Sequence, residues 1–369
     1  RQYGDQTLSL LRITAAHRLP YALPLISPWH SAATALTERS GWLLRLVTDD
    51  GRIGHGECAP LPSHGTESAA DAGATLMQWA KQLPGQEITF ARKWLASPES
   101  YATPAARAAL ETALLDLLAQ RAACPLAEYL RHAPCNAEVA INAMPGTAIG
   151  ITDEQLKTAV AAGFPVIKLK IGLAPVDNEI AALKRIASHL PPGIALRLDA
   201  NGAWHGDDAL GICRRLAANT DIPVESIEEP ISDPSTDSLR ELQQALPFPI
   251  ALDESWHRLH TANLFDAPPV RRLVLKLAPL GGLLPALGLA RRASAAGMEL
   301  LVTTGIDSAC GTLAAAHLAA ALGNTLAHGL ATSSWLATDT GIPPVIANGK
   351  LLLPKGVGLG FEAMPDFQA

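Results

Sequence analysis

The 369-residue chain lacks the features that would direct it to nucleic acid or to secretion. Its 29 Lys and Arg residues are outnumbered by 35 Asp and Glu residues, so no clustered basic face is expected. Its five cysteines are scattered and never form C-x-x-C, which argues against a disulfide framework and against a zinc site. Arg12, His17 and Arg18 interrupt the first twenty residues, so these contain no apolar core of a secretory signal. We therefore expect a cytoplasmic protein that binds no nucleic acid.

One long segment also lacks formal charge, because no Asp, Glu, Lys or Arg lies between Asp307 and Asp339. Its longest helical stretch is about 12 residues, whereas a membrane-spanning helix needs roughly 20 apolar residues. We interpret the segment as a buried helix followed by a buried strand, and we expect no association with a membrane.

Aromatic residues make up only 5% of the chain, while hydrophobic residues make up 48%. This Ala- and Leu-rich composition favours helices packed around a sheet over an all-β sandwich. The length predicts about two domains.

The first part of the chain is typical of an α+β unit. Two strands are predicted at 41–49 and 51–58, joined by a turn at Asp49–Gly51. Helical patterns follow at 68–82 and 104–121; Thr103 is placed to cap the second of these helices, and Pro104 suits its first position. We predict a capping domain over residues 1–135, completed by a Gly- and Pro-rich tail at about 340–369.

From residue 136 to 339, short β-branched runs alternate with helical patterns. The predicted strands are 139–143, 166–171, 194–199, 224–228, 249–253, 272–277, 299–304 and 328–332. The predicted helices between them are 152–162, 176–190, 207–218, 236–245, 283–296 and 311–322. Neither the G-x-G-x-x-G fingerprint of a dinucleotide-binding sheet nor a P-loop occurs. The fold class is therefore predicted as α/β, with a (β/α)7β-type TIM-like barrel.

Three acidic residues, Asp199, Glu228 and Asp253, end three consecutive predicted strands. Any one of them alone would more often cap a helix or pair with a surface lysine. Active-site residues of such barrels gather at the carboxyl ends of the strands, and clustered carboxylates repel one another unless a cation neutralises them. A set of three oxygen ligands favours Mg²⁺, with Mn²⁺ able to substitute.

Lysines flank this carboxylate set on both sides. Lys168 and Lys170 lie in the second predicted strand, and Lys276 lies near the end of the sixth. A lysine held near a divalent cation and another lysine has its ammonium form disfavoured, so it can act as a base. The pattern indicates removal of a proton α to the carboxylate of a small-molecule substrate, with the metal stabilising the resulting enediolate.

Four further residues are predicted to contact the substrate. Arg197 and Asn201 share the strand parity of Asp199, and Thr304 and Gly305 lie at the end of the seventh predicted strand. Glu229 and Glu254 have the opposite parity to the neighbouring acids, so we expect them to support the ligands.

Together these residues resemble the enolase superfamily, muconate-lactonising subgroup. The matching motifs are K-x-K at Lys168–Lys170, D-A-N at Asp199–Asn201, I-E-E-P at Ile227–Pro230, D-E-S at Asp253–Ser255 and K-x-x-x-x-G-G at Lys276–Gly282. Within the subgroup, the loop Gly54–Pro62 with Glu67 and Ser68 is most similar to the o-succinylbenzoate synthase family.

That resemblance implies syn-dehydration of 2-succinyl-6-hydroxy-2,4-cyclohexadiene-1-carboxylate to o-succinylbenzoate, a step of menaquinone or phylloquinone biosynthesis. It implies that Lys170 removes the α-proton and helps the hydroxyl leave as water. Lys276 would stabilise the enediolate as a cation and Lys168 would tune Lys170. Asp307 stands where members of that family commonly have Glu, and the closing loop around Pro28–Ser31 has no clear counterpart.

Two alternatives stay open. An N-acylamino acid racemase or a dipeptide epimerase would use the same metal and both lysines for proton transfer at one carbon. The last predicted strand lacks the Asp-x-Asp that would hold an α-ammonium group, which disfavours a dipeptide. A barrel without catalytic activity is the other alternative, although all six metal-binding and lysine positions are present. The oligomeric state is left open.

Overall fold

A computed structural model describes residues 11–30, 35–259 and 264–368. Its first sheet has three antiparallel strands in the order β1 (Ile13–His30), β2 (Ala35–Thr48) and β3 (Ile53–Cys58). β2 and β3 confirm the two predicted strands and the turn between them. β1 was not predicted from the sequence.

Four helices follow this sheet: α1 (Ala69–Gln82), α2 (Ile88–Leu95), α3 (Pro104–Arg121) and α4 (Leu126–Arg131). α3 begins at Pro104 as predicted, but the side chain of Thr103 does not cap it. Glu67 caps it instead, accepting hydrogen bonds from the backbone N–H groups of Ala105 and Ala106, both at 2.9 Å. A carboxylate at a helix N-terminus accepts hydrogen bonds from free N–H groups, and its negative charge interacts favourably with the helix dipole.

The rest of the chain alternates strands and helices as predicted. The strands are β4 (Glu138–Ala140), β5 (Ala143–Thr147), β6 (Val166–Lys170), β7 (Ala195–Asp199), β8 (Val224–Glu228), β9 (Ile250–Leu252), β10 (Arg272–Leu275), β11 (Glu299–Val302), β12 (Val345–Ala347) and β13 (Lys350–Leu352). The helices are α5 (Asp153–Ala161), α6 (Val176–Ser188), α7 (Gly206–Ala218), α8 (Thr236–Gln244), α9 (Leu277–Leu280), α10 (Leu283–Ala295) and α11 (Ala309–Leu322).

Strands β5 to β11 form one curled parallel sheet in chain order. The register pairs Lys170 with Asp199 and Asp199 with Glu228, so the carboxyl ends of neighbouring strands lie side by side. An α/β fold with a parallel sheet is therefore confirmed, and the strand ends that carry the predicted site face the same edge.

Two predicted strands are wrong. The segment 139–143 is divided at Ile141 and Asn142, because β4 belongs to a separate sheet with β12 and β13. The segment 328–332 forms only isolated bridges, from His328 to Ile141 and from Gly329 to Thr303. These bridges connect the residues next to β5 and β11, the two edge strands of the seven-stranded sheet.

The charge-poor segment contains α11, whose residues are almost all buried. The predicted buried helix is confirmed, and the predicted strand is reduced to the two bridges. No helix in the described ranges is both long and apolar enough to cross a membrane. All five cysteines are free thiols.

Candidate active site

Most of the predicted site residues line one cavity of about 250 Å³ at the carboxyl ends of the strands. Those that line it are Lys168, Lys170, Asp199, Asn201, Asp253, Lys276, Thr304 and Gly305. Glu228 lies below it, in the wall of a smaller cavity of about 40 Å³ that Lys168 and Thr304 also line. The strand register therefore brings the predicted lysines and carboxylates together.

Ammonium groups lie between the carboxylates. Lys168 Nζ is 2.9 Å from Asp199 Oδ2 and 2.7 Å from Glu228 Oε1. Lys276 Nζ is 2.5 Å from Asp253 Oδ2 and 3.2 Å from Glu254 Oε1. Two of the three predicted lysines are thus paired with acids at the centre of the site.

The three lysines differ in their electrostatic setting. Burial lowers the pKa of Lys168, but the carboxylates of Asp199 and Glu228 outweigh burial and raise it above its usual range. The pKa of Lys276 is raised in the same way by Asp253 and Glu254. Burial lowers the pKa of Lys170, and Asp199 offsets only part of this effect. Lys170 is therefore the one of the three lysines whose pKa is lowered, which is the direction that suits a base.

The metal prediction can be tested against the donor set. Burial raises the pKa of both Glu228 and Asp253, so the site favours additional positive charge. In this arrangement no three acidic, histidine or cysteine side chains of the described residues are grouped as a metal site. Lys168 and Lys276 contact these carboxylates instead. The oxygen donors fit a hard divalent cation, which would have to replace these ammonium contacts.

Glu229 supports the site from behind, as its parity predicted. It is buried at a positive φ of 45° and accepts hydrogen bonds from Asp253 N at 2.7 Å and Ser255 N at 3.0 Å. These bonds hold the backbone at Asp253, so Glu229 is a positioning residue. Burial raises the pKa of Glu229 to about 7. Glu254 lines the cavity as Glu229 does, but its side chain reaches Lys276.

Arg197 does not line the 250 Å³ cavity but lines the smaller one of about 40 Å³, and its contact with substrate stays a prediction. Its side chain is 1% exposed, and Nη1 donates to Asn142 Oδ1 at 3.0 Å and to the Ala327 carbonyl at 2.8 Å. Its Nε donates to Glu225 Oε2 at 3.2 Å. Arg197 lies on the same side of β7 as Asp199, as the alternation of side chains along a strand predicts. Because it precedes Asp199 by two residues, it lies below the cavity.

The other three predicted contacts do line the cavity. Asn201 has a φ of 46°, and its backbone N–H donates to Asp199 Oδ1 at 3.0 Å. Thr304 Oγ1 lies 2.5 Å from Thr332 Oγ1, and the Gly305 carbonyl accepts a hydrogen bond from Arg39 at 3.2 Å. Direct substrate contact by these residues remains a prediction.

Four described cavity residues, Trp29, Leu61, Ser63 and His64, come from the first sheet and its loops, and Trp29 and His64 were not among the predicted site residues. Trp29 is the last residue but one of β1 and belongs to the predicted closing loop, of which Ser31 lies outside the described residues. Lys170 Nζ lies 4.8 Å from the centre of the Trp29 ring. His64 follows the Gly54–Pro62 loop, and its Nε2 lies 3.4 Å from Glu254 Oε1. Burial lowers the pKa of His64 to about 4, so it is neutral near pH 7. The position of His64 directly after the recognised loop was the available signal.

Asp307 does not line the cavity, although the preceding residues Thr303–Ile306 do. Burial raises the pKa of Asp307 to about 7, and the neighbouring carboxylate of Glu57 adds to this effect. Glu57 in turn accepts hydrogen bonds from Ser308 N at 3.0 Å and Gly311 N at 2.7 Å at the start of α11. The replacement of the family's usual Glu by Asp307 therefore affects a contact between the first sheet and α11.

Comparison with known proteins agrees with this geometry. Residues 152–367 match the family described as "Enolase C-terminal domain-like". The chain belongs to the enolase superfamily. Residues 13–106 match the family described as "MenC, N-terminal domain", which fits the muconate-lactonising subgroup near the o-succinylbenzoate synthases.

Relatives within the superfamily differ in activity. An L-Lys-D/L-Arg epimerase of Methylococcus capsulatus is 31% identical, with 93% of this chain and 96% of that protein covered. An o-succinylbenzoate synthase of Thermosynechococcus vestitus is 33% identical, with 64% of this chain and 66% of that protein covered. The epimerase, which matches over nearly its full length, and the synthase, which has slightly higher identity, therefore catalyse different reactions.

Solved superfamily structures share the fold over nearly the whole chain. The muconate lactonizing enzyme of Pseudomonas fluorescens in complex with muconolactone has a TM-score of 0.84 at 27% identity and covers 98% of both chains. A dipeptide epimerase of Enterococcus faecalis in complex with Mg and L-Leu-L-Tyr has a TM-score of 0.82 at 26% identity. That match covers 95% of this chain and 99% of the epimerase. Magnesium is thus present in the solved structure of a homologous protein.

Proposed function

We propose that this superfamily member is an o-succinylbenzoate synthase-type lyase, which dehydrates 2-succinyl-6-hydroxy-2,4-cyclohexadiene-1-carboxylate in menaquinone or phylloquinone biosynthesis. The observation that carries the proposal is the asymmetry of the lysines. Lys276 contacts Glu254, which is not among the proposed metal ligands, whereas burial lowers the pKa of Lys170. Dehydration needs one base and one fixed cation, which is what this pair supplies. The match of residues 13–106 to the MenC domain supports the same choice.

In the proposed reaction, neutral Lys170 takes the proton from C1 of the ring, α to the carboxylate. The C6–O bond then breaks, a C1–C6 double bond forms, and Lys170 returns its proton to the departing hydroxyl, which leaves as water. Lys276 faces the developing negative charge of the substrate carboxylate as a fixed cation. Lys168, paired with Asp199 and Glu228, adds positive charge that keeps Lys170 neutral.

Asp199, Glu228 and Asp253 would hold Mg²⁺, or Mn²⁺ in its place. When bound, the cation would supply a Lewis acid for the substrate carboxylate. Glu229 holds the backbone at Asp253 in position for this role. We further propose that the His328 and Gly329 bridges complete a (β/α)7β barrel around the site, and that the five free thiols indicate the reducing cytoplasm.

The second candidate is an N-acylamino acid racemase or dipeptide epimerase. It is favoured by the nearly complete coverage of the epimerase of M. capsulatus, compared with partial coverage of the synthase relative. Proton transfer at one carbon requires two lysines that can each act as a base. The contact of Lys276 with Glu254, which is not a proposed metal ligand, disfavours that reaction.

The deciding experiment is a spectrophotometric assay of the cyclohexadiene carboxylate with Mg²⁺ and, separately, with EDTA. We expect rapid aromatisation that requires the metal. Absence of aromatisation by folded protein would contradict the proposal. In that case, deuterium incorporation at the α-carbon of N-succinylamino acids or of dipeptides in D₂O would identify the racemase or epimerase.

A further inference from the structure

The cations of the cavity differ in whether the protein already engages them. Lys168 and Lys276 each contact two carboxylates. Lys170 packs against the ring of Trp29, and His64 is neutral near pH 7. Among the described residues, Arg258 is the remaining cation in the cavity wall.

Arg258 ends a short 3-10 helix, Ser255–Arg258, that directly follows Asp253 and Glu254. Its side chain is exposed yet lines the cavity, so it stands at the rim. No hydrogen bond, ion pair or ring contact to its guanidinium is found within the described ranges. A guanidinium is always charged and offers paired N–H donors that match a carboxylate.

The wall formed by Thr303–Ile306, Thr332 and Trp335 carries no charge. No acidic side chain there can hold an α-ammonium group, because the chain has no Asp or Glu between Asp307 and Asp339. Three acidic residues that line the cavity, Asp199, Asp253 and Glu254, already contact the protein's own lysines. The fourth, Glu229, accepts hydrogen bonds from the backbone N–H groups of Asp253 and Ser255.

We propose that Arg258 binds a second anionic group of the substrate, distant from the carboxylate held at the strand ends. The site then selects dianionic acids, such as succinyl-bearing carboxylates, over zwitterionic dipeptides. This inference rests on the proposed function only in placing the reacting carboxylate at the strand ends. It applies equally to dehydration and to racemisation of N-succinylamino acids.

The test uses ligand pairs that differ only in the distal charge. The first pair is o-succinylbenzoate and its analogue with a side-chain amide in place of the distal carboxylate. The second pair is an N-succinylamino acid and its succinamoyl counterpart. Affinities are measured by calorimetry with Mg²⁺ present, so turnover is not required and failure of the aromatisation assay leaves this test intact.

We expect the wild-type protein to bind at least one dianion about 10-fold more tightly than its amide, as for a charge-assisted hydrogen bond. Arg258→Gln should abolish that ratio, Arg258→Lys should restore part of it, and added salt should reduce it. The control is Arg214→Gln on the exposed side of α7, which should leave the ratio as in wild type. The proposal is overturned if neither pair shows a preference for the dianion or if Arg258→Gln retains it.

Discussion

The seven-stranded sheet holds a cluster of buried charges at each end of its strands, and the two clusters are built differently. At the carboxyl ends, Lys168 and Lys276 contact the carboxylates. At the amino ends, Arg272 binds Glu225 Oε1 and Glu299 Oε2, both at 2.6 Å, and donates to Ser226 Oγ at 2.8 Å. Arg197 also bonds to Glu225.

The difference lies in what each cation can do. A guanidinium forms several directed hydrogen bonds at once, so the Arg272 and Arg197 pairs fix the geometry of the strands. An ammonium is a compact charge that can exchange one partner for another and whose pKa shifts readily on burial. The lysine end can therefore accept a metal and move a proton, whereas the arginine end serves stability, as expected for the amino ends of such strands.

The largest effect should come from Lys170→Ala, which tests the catalytic end. Loss of the base should reduce kcat about 10³-fold in the aromatisation assay while Mg²⁺ affinity stays close to that of wild type. Lys184→Ala on α6 is the matched exposed control and should retain full activity. Unimpaired turnover by Lys170→Ala would remove this residue from its assigned role.

Asp253→Ala should weaken Mg²⁺ binding about 100-fold or more, because it removes a carboxylate that the metal needs. Calorimetric titration with Mg²⁺ measures the effect directly. The matched control is Glu225→Gln at the opposite end, which should lower stability but leave Mg²⁺ affinity unchanged. If both variants weaken the metal equally, the two ends are not functionally distinct.

Arg272→Met should destabilise the folded state by about 2 to 3 kcal/mol, because it removes the buried guanidinium that binds Glu225, Glu299 and Ser226, although Glu225 keeps Arg197. Urea unfolding measures the loss, and the activity of the folded fraction should be retained. Arg240→Met breaks the exposed pair with Asp237 and should change stability by less than about 1 kcal/mol. A selective loss of activity in Arg272→Met would contradict a purely structural role.

The smallest effect concerns Gly282, which follows Lys276 and α9 at the catalytic end. Its φ is 129°, and an added Cβ would meet the carboxylate of Glu111 on α3. Gly282→Ala should therefore cost about 2 kcal/mol in urea unfolding. Gly288→Ala inside α10, where a Cβ meets no atom within 4 Å, should instead stabilise by about 0.5 kcal/mol. Equal effects of both substitutions would show that the contact with α3 is unimportant.

The catalytic end could be predicted from sequence because each residue ends a strand in a regular β/α alternation. Asp199 and Glu228 become neighbours as soon as parallel pairing is assumed. The position of Arg197 below the cavity could not be predicted, because its partners Asn142 and Ala327 are 55 and 130 residues away in sequence.

β1 escaped prediction for a different reason. It contains Pro20, Pro24 and Pro28, which normally argue against a strand. The sheet order places β1 at an edge, where proline removes no required hydrogen bond. The contribution of Trp29 to the cavity was missed with it, because that residue depends on where β1 ends.

The pairing of β4 with β13 has a consequence for synthesis on the ribosome. Glu138 on β4 bonds to Lys350, which is 212 residues later in the chain, and Asp116 on α3 accepts from Leu359 N, 243 residues later. At about 5–20 residues per second, β4 waits roughly 10 to 40 seconds for its partner. During that time its edge is open to other nascent chains, and its length of only three residues limits such mispairing.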